Sequence, residues 1–353
     1  MSALFCFFYI KYLKIRFSLI KCEKTTTHQT KGIDVFKKYF WIFSTVFYFA
    51  VTTLMILLAF TLFVDIFWGI GLLIFNFKMS SLPSFDTLIV ISTICAVWAL
   101  IEGTRIPSTK MTLIETDKIT QPSTVVFLSD LHIDRDVDRA KINGIVQRVN
   151  ALKPDIVILG GDTIDDKLPL IDNTLQILSQ INARMGRFFV AGNHEFYRGK
   201  AQCVQQLKKL GFTFLENNGV ALNDIFVAGI PDITTSAGSV DVKKAFHKSQ
   251  NNEFRILVSH TPHNFKEQNC FDLELAGHTH GGQIFPFHIL SKMYNRYLFG
   301  LYTLSEKTYL YVSRGSGQWG PQMRFLANAE ISVIHLKPKK KQTKYFDETQ
   351  IKA

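Results

Sequence analysis

Val125-Val126-Phe127-Leu128-Ser129-Asp130-Leu131-His132 joins four apolar residues to a loop that carries a carboxylate and an imidazole two residues apart. The apolar half reads as a strand covered on both faces, where β-branched and aromatic residues run without polar interruption. The same grammar recurs downstream. Ile156–Leu159 leads into Gly160-Gly161-Asp162, and Phe188-Phe189-Val190 leads into Gly192-Asn193-His194-Glu195. Ile256-Leu257-Val258 leads into Ser259-His260, and Leu273–Ala276 leads into Gly277-His278-Thr279-His280-Gly281-Gly282. Further strand-like runs lie at Ile225–Ala228, Thr308–Val312 and Ile331–Leu336. Amphipathic stretches at Val137–Leu152, Thr174–Arg184 and Ala201–Leu210 read as helices. This alternation predicts an α/β domain over residues 105–336, with a β-rich second half that suggests a mixed sheet or a two-sheet sandwich.

In such sheets the loops after the strands are where ligands bind. Each loop here delivers Asp, Asn or His. Asp-x-His and His-x-His place two donors on one extended segment, so both can reach one ion. A carboxylate can bridge two cations, and mixed oxygen and imidazole donors suit Mn, Fe, Zn, Ni or Co. Two such cations activate a water and neutralise a phosphoryl group during in-line attack. Any one of these pieces is an ordinary turn or helix cap. No structural requirement explains all of them in this order.

Outward from the domain, the composition changes. The 353 residues are 47% hydrophobic and 20% charged, with 40 Lys/Arg against 29 Asp/Glu. That excludes a disordered polymer. Five unpatterned cysteines exclude a disulfide scaffold and favour a reducing compartment. Trp41–Val64 lacks any charge, and Thr87–Ile101 is apolar between Asp86 and Glu102. A bilayer core of about 30 Å needs roughly 20 helical residues, so both are candidate spans. Ile66–Phe77 reads as a third short span, a continuation of the first helix or an interfacial turn. Met1–Ile20 is interfacial or a weak extra span; its basic residues follow the apolar run, the reverse of a cleaved signal.

The excess positive charge sits at the ends. Residues 1–40 hold eight basic and two acidic residues, and residues 337–353 hold six and two. The near-neutral middle argues against a nucleic-acid surface. Basic ends fit anionic headgroups on the cytoplasmic side of a multi-pass protein, with the catalytic domain on that face. The expected organisation is therefore a basic segment 1–40, a membrane region 41–104 with two or three helices, the α/β domain 105–336 and a basic tail 337–353.

Taken together, the motifs resemble the calcineurin-like metallophosphoesterases over residues 124–336. That resemblance implies a β-sandwich flanked by helices, here preceded by transmembrane helices. It implies a first metal held by Asp130, His132, Asp162 and His280. A second would be held by Asp162, Asn193, His260 and His278, with Asp162 bridging. His194 would act as general acid or phosphate contact. The cofactors would be two divalent ions, Mn first, with Fe, Zn, Ni or Co as alternatives. Gly161-Asp162-Thr163 lacks the Asp-Arg-Gly continuation of protein Ser/Thr phosphatases. Gly277–Ile284 and Ser313-Arg314-Gly315-x-Gly317, with Arg324 and Glu330 downstream, are similar to membrane-anchored phosphodiesterases and to transmembrane proteins with this domain. One branch of that group resembles UDP-2,3-diacylglucosamine pyrophosphatase of lipid A biosynthesis.

The implied activity is hydrolysis of a phosphodiester or pyrophosphate bond in a lipid or nucleotide-linked lipid, by direct attack of a metal-bridging hydroxide. The competing readings are a phosphomonoesterase or general nucleotidase, and an inactive membrane scaffold or sensor. Arg314 is either a phosphate-binding group or a loop-fixing partner of a carboxylate. The expected partners are the bilayer and a phosphorylated lipid or nucleotide-linked substrate, with no nucleic acid and no protein partner implied.

Overall fold

The computed structural model describes residues 30–75, 83–236, 239–263 and 265–339. The Met1–Ile20 segment and most of the basic tail lie outside those residues. The chain divides into two compact units, Met1–Ala50 and Val51–Ala353.

Two long helices come first, α1 (Thr30–Phe75) and α2 (Phe85–Thr104). Within them, Phe43–Ile74 and Phe85–Thr104 are long and apolar enough to cross a membrane. Leu54, Leu62, Leu73, Val90, Ile94 and Trp98 are exposed, as they would not be in the core helix of a water-soluble protein. Residues 66–75 continue α1 without a break, and the last two residues of the Ile66–Phe77 segment lie outside the described residues. Ser84 caps α2 by accepting the Thr87 N–H at 3.2 Å.

The rest is two stacked sheets. The first contains β1 (Ser108–Thr116), β12 (Glu330–Pro338), β2 (Ser123–Leu128), β3 (Ile156–Leu159), β4 (Gly186–Phe189) and β5 (Thr213–Phe214), in that spatial order. The second runs β10 (Gly300–Ser305), β11 (Thr308–Val312), β9 (Leu273–Ala276), β8 (Phe254–Val258), β7 (Ile225–Gly229) and β6 (Asn218–Leu222). Strands β2 through β5 are parallel, as are β7, β8, β9 and β11. Strand β12 is antiparallel to β2 and parallel to β1, so the first sheet is mixed.

Strand alternation builds two cores from one segment. Val125 and Phe127 point between the sheets to meet Ile158, Val227, Ile256 and Leu275. Val126 and Leu128 point outward onto the helical layer. There α3 (Arg139–Ala151) presents Ile142, Ile145, Val146 and Val149, spaced three and four apart on one face. Each such side chain contributes about 1.5–3 kcal/mol by leaving water. Asp138 caps this helix on the Ala140 N–H.

Two predicted helices differ in detail. The helix expected over Thr174–Arg184 is α4 (Leu168–Leu175) followed by a tighter 3-10 stretch, Gln176–Gln180. Pro169 in the first turn and buried Ile171 start it earlier than the apolar pattern suggests. The helix expected over Ala201–Leu210 is the second half of α5 (Asn193–Lys209), which bends at Gly199 (φ 97°). Strand β1 went unforeseen because eight of its nine residues are partly or fully exposed, with polar Ser108, Thr109 and Lys110 along an outer edge.

Candidate metal centre

All the candidate ligands lie on loops that follow a parallel strand. Asp130 and His132 follow β2, Asp162 follows β3, and Asn193 and His194 open α5 after β4. His260 follows β8, and His278 and His280 follow β9. The two sheets therefore bring their C-terminal loops to one edge of the sandwich.

The side chains converge in two groups. In one, Asp130, His132 and His280 place a ligand atom each within 4.8 Å of one another. His132 Nε2 lies 3.1 Å from His280 Nε2, and His280 Nε2 lies 3.6 Å from Asp130 Oδ1. In the other, Asp162, His260 and His278 do the same. His260 Nε2 is 3.2 Å from Asp162 Oδ2, 3.2 Å from His278 Nδ1 and 3.1 Å from Asn193 Oδ1. Asp162 Oδ2 stands between the groups, 3.8 Å from His132 Nε2.

The backbone is strained to achieve this. Asp130, His132, Asp162, His278 and His280 all have left-handed φ, between 44° and 68°. Non-glycine residues avoid that region, at a cost of about 1–2 kcal/mol each. The surrounding structure holds them there. The His278 N–H donates to both oxygens of Asp130, and the Asp162 Oδ1 accepts the His194 N–H at 2.8 Å. The Ser129 hydroxyl donates to Asp130 Oδ2.

Two buried acids that the sequence did not single out organise the centre. Glu195 accepts four backbone N–H bonds, from Asp162, Thr163, Ile164 and Gly192, at 2.7–2.9 Å. It ties the loop after β3 to the start of α5. Asp165 accepts from His194 Nδ1 at 2.7 Å, His132 Nδ1 at 3.3 Å and the Arg198 guanidinium at 3.0 Å. It forms a further close group with the two histidines. Arg324 is fully buried, and its guanidinium donates to the carbonyls of Gly317, His280 and Ala327.

The electrostatics suit cations. Burial opposes the charges on Asp162 and Asp165, but His260 next to the first and His132 and His194 next to the second hold both well below the carboxylate range. Burial likewise works against a charge on His260, and Asp162 overcomes it and raises its pKa well above normal. Burial and nearby cationic groups lower His278 and His280, leaving ring lone pairs free for a ligand. Burial and Asp162 raise Glu195. Anionic carboxylates facing imidazole nitrogens, dry and already converging, form a donor set that fits divalent ions.

Arg314, expected at the substrate, lies over the Phe299 ring with its carbon 4.0 Å from the centroid. Its Nε has no hydrogen-bond partner among the described residues. The Trp319 ring lies 6.5 Å from that of His194.

A two-sheet α/β sandwich with His and Asp clusters at its strand ends defines a metallophosphoesterase, and the chain belongs to that calcineurin-like family. The family's sequence pattern, calcineurin-like phosphoesterase, matches residues 123–282. An uncharacterised metallophosphoesterase of Campylobacter jejuni is 33% identical over 260 residues, covering 72% of this chain and 70% of its own. One from Helicobacter pylori is 37% identical over 244 residues, covering 67% of this chain and 66% of its own. A Danio rerio transmembrane protein with metallophosphoesterase domain is 32% identical over 269 residues, covering 70% of this chain and 62% of its own. The match thus spans just under two thirds of the Helicobacter and Danio relatives. The fold implies divalent metal ions. The apolar helices, together with the Danio relative's name, indicate association with a membrane.

Proposed function

We propose that the chain is a membrane-anchored phosphohydrolase with a dinuclear metal centre. Its substrate is a phosphodiester or pyrophosphate in a lipid or nucleotide-linked lipid, of which UDP-2,3-diacylglucosamine is the first to try. The observation that carries this reading is the position of Asp162 Oδ2 between the His132 and His260 groups. Asp130, His132, Asp162 and His280 would hold one ion; Asp162, Asn193, His260 and His278 would hold the other. Mn²⁺ is the first choice for this donor mixture, with Fe, Zn, Ni or Co as alternatives. When bound, the two ions supply Lewis acidity to a phosphoryl group and acidify a water.

The chain's own residues do the remainder. Asp165 fixes the His194 ring through Nδ1, so Nε2 faces the Asp162 side, 3.9 Å from its Oδ2. From there His194 protonates or hydrogen-bonds the leaving oxygen. Arg314, held on Phe299, offers guanidinium N–H groups to a phosphate oxygen. Glu195 and Asp165 keep the loops and rings in place, so little reorganisation is needed at reaction. The full donor set, unsubstituted at any position, favours an active enzyme over a scaffold. The basic ends favour a multi-pass chain with the catalytic domain on the cytoplasmic face.

The test uses full-length protein in detergent micelles with Mn²⁺ and UDP-2,3-diacylglucosamine, and measures UMP. Asp162-dependent release supports the reading. Cleavage of bis(p-nitrophenyl) phosphate without UMP release keeps the phosphodiesterase and removes this substrate. Faster turnover of monoesters than diesters favours a nucleotidase. No hydrolysis of any of these, with two metals bound per chain, overturns the proposal.

A further inference from the structure

The loop that walls the centre is packed onto the anchor. Arg324 N–H donates to the carbonyl of Ala99 on α2 at 2.9 Å. The Thr52 hydroxyl of α1 lies 3.4 Å from Met323 Sδ. Gly103 has no room for a side chain, because a Cβ there would overlap the Gln322 carbonyl. The level of this contact relative to a bilayer can be read from α2. Its 20 residues span about 30 Å, the thickness of a hydrocarbon core. Trp98, with the Arg105 guanidinium 5.7 Å from its ring, sits in the last turns, where aromatic and basic residues mark the headgroup zone. Ala99 lies five residues, about 8 Å, before the end of α2, so the loop that meets it reaches the outer edge of the hydrocarbon core just below the headgroups.

A second apolar surface is joined to that loop. Phe325 N–H donates to Gln283 O and Phe285 N–H donates to Phe325 O, at 2.9 and 3.1 Å. Residues 283–286 lead straight into α6 (Phe287–Tyr294). Among the described residues nothing covers the outer face of this helix. Ile289 is 51% exposed, Leu290 49%, Met293 80% and Tyr294 91%. Their spacing puts them on one side of a two-turn helix. Leu326, 67% exposed, extends the surface towards the anchor. Exposed Lys292 and Arg296 accompany it, the pattern of a helix lying in an interface plane.

We propose that this face of α6, continuous with Leu326, lies in the bilayer interface and docks the domain on the phospholipid surface beside the anchor. The occupant is lipid rather than protein because the face adjoins a loop that meets α2 within the depth of the bilayer. Its basic residues also complement anionic headgroups. The inference rests on α1 and α2 crossing the membrane; it does not depend on the hydrolase reading. One consequence is that the metal centre opens beside the headgroups, since His280 and α6 are separated by only a few residues.

The test places the photoreactive amino acid p-benzoylphenylalanine at Met293, at Leu62 in the span, or at Lys209 at the far end of α5. The full chain is reconstituted in vesicles of phosphatidylethanolamine and phosphatidylglycerol, irradiated, and analysed by mass spectrometry for lipid adducts. All three sites are exposed, so the substitutions leave the core untouched. The expected result is lipid adducts at Met293 within about threefold of the yield at Leu62, and none at Lys209. Adducts at Leu62 alone overturn the interfacial face and leave the anchor standing. Adducts at neither overturn both. A Met293 cross-link to a second copy of the chain, without lipid, reassigns the face to self-association and also overturns the proposal.

Discussion

Replacing Glu195 with Gln tests whether one buried carboxylate holds the centre's loops together. Glu195 is fully buried and accepts four backbone N–H groups, two on each oxygen. Gln keeps one acceptor oxygen and turns the other into an NH2 group. Two N–H donors then face a donor. Hydrogen bonds to charged groups are worth about 1.5–3 kcal/mol each, so the loss is about 3–6 kcal/mol. The variant no longer buries a charge, which offsets part of this and leaves about 3 kcal/mol. For a domain of this size each kcal/mol shifts Tm by roughly 2–4 °C, so a fall of roughly 6–12 °C is expected. The assay is thermal unfolding of the full-length protein in detergent with EDTA, followed by metal titration. Metal affinity should also fall, because Asp162 and Asn193 would lose their fixed relation. The control is Glu216→Gln, which removes an ion pair to Lys200 that is part-exposed and should cost under about 1 kcal/mol. A Glu195→Gln Tm within 2 °C of the control refutes the clamp argument, whatever the activity.

Gly277→Ala would drive a Cβ into Ser129 Oγ and Asp130 Oδ2; titration should show weaker binding of at least one metal, and unchanged affinity would mean the loop yields. Asp162→Asn should lower hydrolysis of any substrate by at least a thousandfold while circular dichroism stays native; wild-type turnover would refute the bridging assignment. His194→Gln should slow substrates with poor leaving groups far more than nitrophenyl esters, and equal slowing of both would remove its role as acid. Glu274 is buried between Ser259 and the His263 N–H, and burial lifts its pKa from 4.5 to about 8. Its folded-state pKa is above the unfolded one, so stability is full below pH 4.5 and is lost as pH rises to 8, by about 5 kcal/mol. Glu274→Gln should flatten that slope in urea titrations at pH 5 and pH 8, and an unchanged slope would assign it to other groups.

The strands beside the centre were legible because a parallel strand buried on both faces leaves a continuous apolar run, as in Val125–Leu128 and Ile256–Val258. The residues that converge as candidate ligands were legible because chemistry constrains residue type, and each type sat directly after such a run. Glu195 and Asp165 were not. Glu195 follows His194 in plain view, but three of its four partners are main-chain groups some thirty residues away, and no residue pattern advertises those. Asp165 stands beside Asp166 in a polar loop, and only the fold shows that it meets His132 and His194. The 3-10 turn after Leu175 broke a helix that periodicity alone would have continued.

The pairing of β1 with β12 has a consequence for how the protein is made. Ser108, just past α2, aligns with Glu330, and the two strands stay in register through Thr116 and Pro338. Strand β1 must wait about two hundred residues of synthesis for its neighbour, and non-local pairing of this kind is slow. During synthesis that strand is an open edge directly after the apolar helix α2, and polar Thr109, Lys110 and Thr112 on it discourage wrong partners. Truncation before β12 should therefore leave an unclosed domain with β1 unpaired and open to proteolysis.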